Sequence, residues 1–366
     1  MKNSRQFFQG ARVLITGHTG FKGSWLSMWM SQLGATVCGI SLDVPTEPSH
    51  FVAAELGKRV QDHRVDIRDR SALAKVIGEF QPDILFHLAA QPLVRRSYAD
   101  PVETWETNTL GTVHVLEALR HLGAPCVAVL ITSDKCYDNS EWVWGYKETD
   151  PLGGGDPYSA SKGGAELAIR SYVRSYFPAT GNIRLGVGRA GNVIGGGDWA
   201  QDRIVPDCMR AWEQGQTVSL RNPLATRPWQ HVLEPLSGYI SLAMALLQGS
   251  ELHGNAFNFG PPSQQNRSVR DLVCEMANFW DRVQWEDISD AYKGPHESGL
   301  LKLNCDKALH YLGWHATWDF SSTVRETVLW YKNFYQHSDT STEDMTLTQI
   351  NAYMNLANSR GLEWAM

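Results

Sequence analysis

A tyrosine and a lysine four positions apart are the residues of this sequence best suited to acid–base chemistry. Tyr158 and Lys162 would lie on one face of a helix, because residues four apart are neighbours on a helical surface. The pKa of a tyrosine is near 10 in water, so a phenol needs a nearby positive charge to act as a base at neutral pH. With Lys162 lowering its pKa, Tyr158 could remove the proton of an alcohol during oxidation. The same spacing occurs by chance in many helices, so its meaning depends on the surrounding elements.

A glycine-rich loop with the pattern GxxGxxG follows the first predicted strand and opens the first long predicted helix. Gly17 would permit the tight turn, Gly20 would let the backbone approach a pyrophosphate, and Gly23 would let helix and strand pack closely. Amides at the helix start would then face the phosphate charge. Glycine triplets often mark mere turns, but this position favours dinucleotide binding. The residues predicted to bind the cofactor here are Gly17, Thr19, Gly20, Phe21, Lys22 and Gly23.

Two acidic residues near strand ends are candidates for holding the adenosine half of the cofactor. Asp43 follows the second strand, where an acid commonly binds the adenine ribose hydroxyls, although it could simply cap a loop. No arginine occurs between residues 24 and 57 to pair with a 2′-phosphate, so NAD is favoured over NADP. Asp66 and Ile67 follow the third strand and could hold the adenine amine, or form a solvated turn.

The end of the fourth predicted strand is suited to the nicotinamide half. The short side chains of Ala89 and Ala90 would let the backbone approach a nicotinamide ribose, although ordinary close packing would favour them too. The predicted cofactor contacts at this strand end are Leu88, Ala89, Ala90 and Gln91.

Short apolar runs alternate with helical stretches through the first half of the chain. The predicted strands are residues 12–16, 36–40, 60–65, 83–88 and 126–131, and the predicted helices are residues 23–33, 71–80 and 104–122. Strands that are apolar on both faces and alternate with helices indicate a parallel sheet covered on both sides. We predict an α/β protein with a Rossmann-type, doubly wound parallel sheet built from residues 1–187 and 230–256. Residues 188–229 and 257–366 would form a smaller α/β substrate-binding lobe.

Composition excludes several classes of partner. The net charge of −6 provides no basic surface for nucleic acid. No run approaches the ~20 apolar residues needed to span a bilayer, and the amino terminus lacks a secretory signal. The six cysteines and 12 histidines are scattered without metal-ligand spacing. We therefore expect a cytoplasmic protein with no metal and no membrane or nucleic-acid partner.

Taken together, these motifs resemble the extended short-chain dehydrogenase/reductase family over essentially the whole chain. The residues that carry the resemblance are Gly17, Gly20, Gly23, His87, Leu88, Ala89, Ala90, Asn108, Tyr158 and Lys162. The resemblance implies that Asn108 shapes the site through a backbone contact, although a helix asparagine or cap would read the same way, and that Ser133 hydrogen-bonds a sugar. It also implies a homodimer or homotetramer, assembled through helices near residues 104–122 and 163–176.

The two residues after Ser133 separate branches of this family. Nucleotide-sugar 4,6-dehydratases carry an ionisable pair there, usually Asp-Glu, and the sequence has Asp134 and Lys135. The resemblance implies that Tyr158 is the base at C4, that Asp134 is the acid at C6 and that Lys135 replaces the usual C5 base. These roles need a protonated Asp134 and an uncharged Lys135, the reverse of their usual states, and a surface ion pair is the alternative.

The substrate implied by the resemblance is a nucleotide sugar. The Asp-Lys replacement and the glycine-rich segment 191–200 most resemble the branch that acts on CDP-linked glucose, whose product leads to 3,6-dideoxyhexoses of bacterial surface polysaccharide. Arginines should converge on the substrate pyrophosphate. The predicted substrate-binding residues are Ser133, Asn192, Arg203, Arg227, His296 and Glu297. The alternatives are a 4-epimerase on the same scaffold and a non-catalytic NAD-sensing regulator, which would not be expected to keep the Tyr–Lys pair.

Overall fold

The computed structural model describes residues 4–290, 300–336 and 339–365. The strands are β1 (Arg12–Thr16), β2 (Thr36–Ser41), β3 (Gln61–Arg64), β4 (Ile84–His87), β5 (Cys126–Ile131), β6 (Ile183–Ala190), β7 (Val193–Ile194), β8 (Val218–Leu220), β9 (Thr226–Arg227), β10 (Gln230–His231), β11 (Asn255–Phe259), β12 (Arg267–Ser268) and β13 (Trp285–Asp287). The α-helices are α1 (Ser4–Phe8), α2 (Phe21–Gln32), α3 (His50–Ala53), α4 (Arg70–Phe80), α5 (Val94–Ala99), α6 (Pro101–Trp105), α7 (Gly111–Arg120), α8 (Pro157–Tyr176), α9 (Ile204–Glu213), α10 (Leu233–Gln248), α11 (Val269–Met276), α12 (Asp306–Leu312), α13 (Phe320–Tyr335) and α14 (Thr342–Ser359).

A seven-stranded parallel sheet organises the protein, in the order β3-β2-β1-β4-β5-β6-β11. This is the doubly wound arrangement expected from the sequence, with the reversal of strand order at β1 and β4, where such sheets bind ligands. The inner strands are buried on both faces, because one apolar cluster fills the side of α2 and α10 and a second fills the side of α4, α7 and α8. The carboxyl ends of β1, β4 and β5 therefore meet at one edge.

The predicted strands are found within one or two residues of their expected ends, but the predicted helix 104–122 is not continuous. It is divided into α6, a π-helical turn at Glu106–Leu110, and α7. The extra residue in a π turn does not change the apolar pattern enough to be seen in the sequence, and such turns occur mostly at functional sites. Asn108 lies in this turn.

The central sheet extends past the boundaries proposed for the two domains. Strand β6 continues to Ala190, and β11, which ends at Phe259, forms the seventh strand. Helix α14, which the sequence assigns to the lobe, packs against α2, with the rings of Tyr353 and Trp29 5.9 Å apart. The carboxyl-terminal helices therefore cover part of the Rossmann-type sheet, because their aromatic residues complete the core on that side.

The remaining strands form three two-stranded ladders, β7–β10, β8–β13 and β9–β12, beside the edge where the carboxyl ends of the sheet strands lie. The residues in and next to these ladders include Asn192 and Arg227, and the charge of Arg227 acts on Asp134 just past the end of β5. Within residues 4–290, 300–336 and 339–365, we find no helix of the length and apolarity that crossing a bilayer requires.

Candidate active site

Helix α8 carries the predicted Tyr–Lys pair. It begins where the Asp156 carboxylate accepts a hydrogen bond from the Ser159 amide at 3.0 Å, with Pro157 at the first helical position. These signals fix the helix start, so Tyr158 and Lys162 lie in its first two turns, where both side chains are buried.

Ser133 and Asp134 lie next to Tyr158, just past the end of β5. The Ser133 hydroxyl donates to Asp134 Oδ1 at 3.0 Å and lies beside the Tyr158 phenol, whose pKa it acts to lower. The second carboxylate oxygen of Asp134, Oδ2, is buried and has no hydrogen-bond partner among the described residues. Burial raises the pKa of Asp134, against the opposing charges of Lys135, Arg227 and Lys22. The shift is in the direction that a proton donor requires.

The pKa of Tyr158 differs from the expectation drawn from the sequence. Burial raises it to about 12, and the groups that act most strongly in the opposite direction are the Ser133 hydroxyl and the Arg203 guanidinium. Lys162 is not among these dominant groups, and burial lowers its own pKa to about 8. The loss of water around the phenol therefore outweighs the favourable charges of the protein itself, and the lowering of the Tyr158 pKa by Lys162 together with the nicotinamide charge stays a prediction.

The glycine loop between β1 and α2 is tightly packed against the end of β4. Gly17 has φ = +78°, and a Cβ there would lie 2.8 Å from the Ala89 nitrogen. A Cβ on Gly23 would lie 2.0 Å from the Gly17 carbonyl oxygen. Only glycine fits at either position. The first-turn amides of α2 have no carbonyl one turn back within the helix, and they form the kind of site that binds a pyrophosphate.

The other residues predicted in this loop differ in what they contact: Thr19 and Phe21 have uncharged neighbours, whereas Lys22 lies near charged groups. The Thr19 hydroxyl donates to Ser41 at 2.8 Å, and Phe21 faces Gly195. Lys22 is half-buried, and its pKa is lowered to about 8 by burial and by the charges of Arg203 and Lys162. Lys22, predicted to bind the cofactor, therefore also lies near the charged groups of Arg203, Lys162 and Asp134.

Asp43 lies at the surface beside an arginine that the sequence argument did not consider. Its side chain is 94% exposed, and it is ion-paired with Arg64 of β3 at 3.2 Å. Its Oδ1 also accepts the Val44 amide at 2.8 Å, the loop-capping contact considered as the alternative. Arg64 binds Asp62 at 2.8 Å as well, so two carboxylates balance its charge. Arg64 lies beyond residues 24–57, in which the sequence has no arginine, so the neighbouring strand β3 supplies a guanidinium beside Asp43.

Asp66 and Ile67 follow β3 as expected, but both have protein partners. The Asp66 carboxylate accepts from the Arg68 guanidinium at 2.7 and 2.9 Å. Ile67 is buried, and its Cδ1 would lie 2.6 Å from a Cβ on Gly111. Contact between Asp66 and an adenine amine would have to share this carboxylate with Arg68.

The end of β4 and the π turn are joined by hydrogen bonds. Leu88, Ala89 and Ala90 are half-buried, and the Ala89 amide donates to the Thr16 hydroxyl at 3.1 Å. Asn108 accepts from the Gln91 amide at 2.8 Å and donates to the Gln91 carbonyl at 3.1 Å. It also donates to Ser161 of α8 at 2.9 Å, so it ties this loop to the helix of the Tyr–Lys pair.

Three of the predicted substrate-binding residues surround the same edge of the sheet. Arg227 is half-buried and its charge reaches Asp134, whereas Arg203 acts on Tyr158 and donates to Asp198 at 2.7 Å. Asn192 is half-buried, and its backbone carbonyl binds the Gln230 amide at 3.1 Å. His296 and Glu297 lie outside the described residues. No cluster in the described part of the chain has the ligands for a metal ion.

Sequence reasoning missed a buried ion pair below this site. Arg189 at the end of β6 binds Glu166 of α8 through two hydrogen bonds, each of 2.8 Å, and both side chains are less than 5% exposed. An arginine in the otherwise apolar segment 185–190 was the available signal, because a charge in a doubly covered strand requires a partner.

Comparison with known proteins agrees with this geometry. Residues 14–327 match the family model described as GDP-mannose 4,6 dehydratase. The CDP-glucose 4,6-dehydratase of Salmonella typhimurium is 49% identical over 340 residues, which cover 92% of this chain and 94% of that protein. The crystal structure of a dTDP-glucose 4,6-dehydratase from Streptomyces venezuelae, with NAD bound, superposes with a TM-score of 0.72 at 22% identity, covering 90% of this chain and 99% of that one. A UDP-glucuronic acid 4-epimerase from Bacillus cereus gives 0.75 at 21% identity, covering 88% and 100%.

The fold is thus that of the Rossmann-type nucleotide-sugar enzymes, with the Tyr–Lys pair and a buried acid at one edge of the sheet. The chain belongs to the GDP-mannose 4,6-dehydratase family.

Proposed function

We propose that this chain converts CDP-glucose into CDP-4-keto-6-deoxyglucose and water, with NAD as cofactor. The observation that carries the proposal is the buried Asp134, whose Oδ2 has no partner among the described residues and whose Oδ1 is linked through Ser133 to Tyr158. An epimerase needs no such acid beside its tyrosine. The choice of CDP-glucose is supported by the Salmonella typhimurium relative.

The residues around the glycine loop fit NAD. Gly17 and Gly23 keep the loop free of side chains, and the first-turn amides of α2 would hold the pyrophosphate. Asp43 and Asp66 would lie near the adenosine, and Leu88, Ala89, Ala90 and Gln91 near the nicotinamide ribose, beside Asn108. When bound, NAD supplies the hydride acceptor at C4 and the hydride donor at C6, so the reaction involves no net redox change.

The protein's own groups move the protons. The Tyr158 side chain, as the phenolate, takes the proton of the C4 hydroxyl, while the Lys162 ammonium supplies positive charge on the same helix face. Once C4 is a ketone, the C5 proton is acidic, and Lys135 removes it. The Asp134 carboxyl donates its proton to the C6 hydroxyl, which leaves as water. When C6 is reduced, the proton held by Lys135 returns to C5, and the proton gained by Tyr158 balances the one lost by Asp134. Arg227, Asn192 and Arg203, with His296 and Glu297, would bind the nucleotide and sugar.

The proposal is tested by incubating the protein separately with CDP-, dTDP-, GDP- and UDP-linked sugars. The ultraviolet absorbance of a 4-keto product is followed in each case. Only the CDP sugar should turn over efficiently. Deuterium placed at C4 should appear at C6 of the product, whereas an epimerase would return it to C4. A Lys135→Ala protein that exchanged the C5 proton at the wild-type rate would remove Lys135 from this mechanism.

We also propose that the protein assembles as a dimer or tetramer through α6, the π turn, α7 and α8. Large apolar side chains are exposed along these helices, including Trp105, Leu110 and Leu167. Exposed large apolar side chains of this kind are typical of a subunit interface. Leu167→Glu should shift the sedimentation coefficient toward the monomer, and the matched change Leu309→Glu, on exposed α12, should not. A monomeric wild type would contradict this proposal.

The six cysteines are all free thiols, which supports a reducing cytoplasm.

A further inference from the structure

The buried pair Glu166–Arg189 joins three parts of the protein that carry the active site. Glu166 lies one helical turn after Lys162 on α8, and Arg189 lies near the end of β6. The guanidinium binds both carboxylate oxygens at 2.8 Å, which fixes the direction of the two side chains. Because the pair is almost fully shielded from water, each charge depends on the other.

Both ends of the acid–base segment 133–135 are attached to this pair. Before the segment, the Thr132 hydroxyl donates to Glu166 Oε1 at 2.6 Å. After it, the Tyr137 hydroxyl accepts from Arg189 Nη1 at 2.7 Å and donates to Asn258 of β11 at 2.7 Å. The segment between these anchors contains Ser133, Asp134 and Lys135. Among the described residues, none of these three is hydrogen-bonded to the ion pair.

We propose that Thr132, Glu166, Arg189 and Tyr137 form a positioning network that sets the distance between the acid–base segment 133–135 and the Tyr158–Lys162 pair. The inference rests on the proposed function. The Tyr–Lys pair is held by its own helix, whereas the segment 133–135 depends on the two hydroxyl anchors. Loss of the hydrogen bond from Thr132 or Tyr137 should therefore displace the segment 133–135, which removes water, more than the Tyr158–Lys162 pair, which serves the oxidation.

The Thr132 hydroxyl is the cleanest place to test the network. Thr132→Val replaces the hydroxyl with a methyl group of similar size, and Glu166 keeps both hydrogen bonds from Arg189, so no buried charge loses its partner. Thr132→Ser is the matched control, because it removes a methyl group and keeps the hydroxyl. A misplacement of about 1 Å in an active site can lower the rate about 100-fold. We expect Thr132→Val to slow product formation about 10- to 100-fold with the KM for the sugar within about twofold of wild type, and Thr132→Ser to stay near wild type.

Two measurements distinguish positioning from general stability. In single turnovers, the near-ultraviolet absorbance of reduced nicotinamide should rise and persist in Thr132→Val, because oxidation continues while water removal slows. In the protein alone, amide hydrogen exchange in residues 133–137 should speed up in Thr132→Val and not in Thr132→Ser, with the melting temperatures of the two variants close together. Tyr137→Phe should show the same pattern to a smaller extent.

Each outcome decides the inference. Wild-type turnover in Thr132→Val, or equal losses in the valine and serine variants, would overturn it, as would a rate loss that tracks melting temperature without accumulation of reduced cofactor. Absence of wild-type turnover would instead remove the proposed function and, with it, the catalytic role of the network. Unchanged exchange in residues 133–137 would show that the hydroxyl does not anchor the segment.

Discussion

Two regions of the molecule contain the same three kinds of buried side chain, and only one of them is suited to catalysis. At the edge of the sheet, Tyr158, Ser133 and Asp134 lie together. Beneath the carboxyl-terminal helices, Tyr353, Ser237 and Glu234 do the same, with the Tyr353 hydroxyl donating to Glu234 at 2.6 Å and lying 3.0 Å from the Ser237 hydroxyl. All six side chains are less than 9% exposed.

The regions differ in how fully the carboxylate is hydrogen-bonded. Glu234 accepts from the amides of Thr317 and Trp318 at 2.9 and 2.7 Å as well as from Tyr353, so both oxygens are occupied. Asp134 accepts only from Ser133, and its Oδ2 has no partner within the described residues. Burial raises the pKa of both acids. A raised pKa therefore does not distinguish the two acids, whereas the unpaired Oδ2 leaves Asp134, and not Glu234, with an oxygen available to a substrate group.

Replacing each tyrosine with phenylalanine should give the largest difference in kcat between the two regions. Tyr158→Phe removes the proposed base and should lower kcat about 10²- to 10⁴-fold, because this is the usual contribution of a positioned proton acceptor. Tyr353→Phe should leave kcat per folded molecule unchanged and lower the free energy of unfolding by about 1–2 kcal/mol, through loss of one buried hydrogen bond. Steady-state kinetics and urea unfolding of both proteins measure this. Equal kinetic losses would show that the two regions are not functionally distinct.

The two acids should separate activity from stability in the same way. Asp134→Asn cannot donate the proton at C6 and should lower kcat about 100-fold, with little change in melting temperature, because Oδ2 makes no hydrogen bond to lose. Glu234→Gln turns an acceptor of three hydrogen bonds into a poorer partner and should lower the free energy of unfolding by about 1–3 kcal/mol. A fully active Asp134→Asn protein would rule out the acid role.

Stability should depend on pH through Glu234. Burial raises its pKa from 4.5 to about 7, so between these values the folded protein binds a proton that the unfolded chain does not. The contribution of this group to the free energy of unfolding should therefore increase as pH falls from about 7 toward 4.5, by up to roughly 3 kcal/mol, and be lost as pH rises through 7. The free energy of unfolding is measured by urea at each pH for the wild type and for Glu234→Gln, and the difference between the two proteins isolates this effect. A difference that is constant with pH would contradict it.

The serines should give the smallest contrast. Ser133→Ala removes the hydroxyl between Asp134 and Tyr158 and should lower kcat about 10-fold while leaving stability near wild type. Ser237→Ala removes the acceptor of the Trp314 indole N–H, at 2.8 Å, and should cost about 1 kcal/mol of stability without a kinetic effect. A kinetic loss in Ser237→Ala larger than that in Ser133→Ala would reverse the comparison.

Much of the fold could be predicted because it is encoded in local patterns. The doubly covered strands, such as Arg12–Thr16 and Cys126–Ile131, are continuous apolar runs, and both were predicted with their exact bounds. The π turn at Glu106–Leu110 was missed, because one inserted residue leaves the helical periodicity nearly unchanged. The extension of the sheet to β11 was missed as well, because Asn258 interrupts the apolar residues of Asn255–Phe259 and its partner strand, β6, is distant in sequence.

The candidate site was only partly predictable for a related reason. Tyr158, Lys162 and the glycine loop have fixed spacings along the chain, which a sequence shows directly. The proximity of Lys22 to Asp134, the approach of Arg64 to Asp43 and the pairing of Glu166 with Arg189 each join separate elements. No local pattern reports such contacts.

The sequence by itself determined which segments are apolar enough to form the inner strands of the sheet. It also determined the tight loop that requires glycine at positions 17 and 23, and the presence of an acid and a lysine after β5. Tertiary structure alone decided that Asp134 is buried with one oxygen unpaired while Glu234 is fully hydrogen-bonded. The physical reason is that burial and hydrogen-bond partners are supplied by residues far apart in the chain. Those surroundings, and not the residue type, set the protonation state of a carboxyl group.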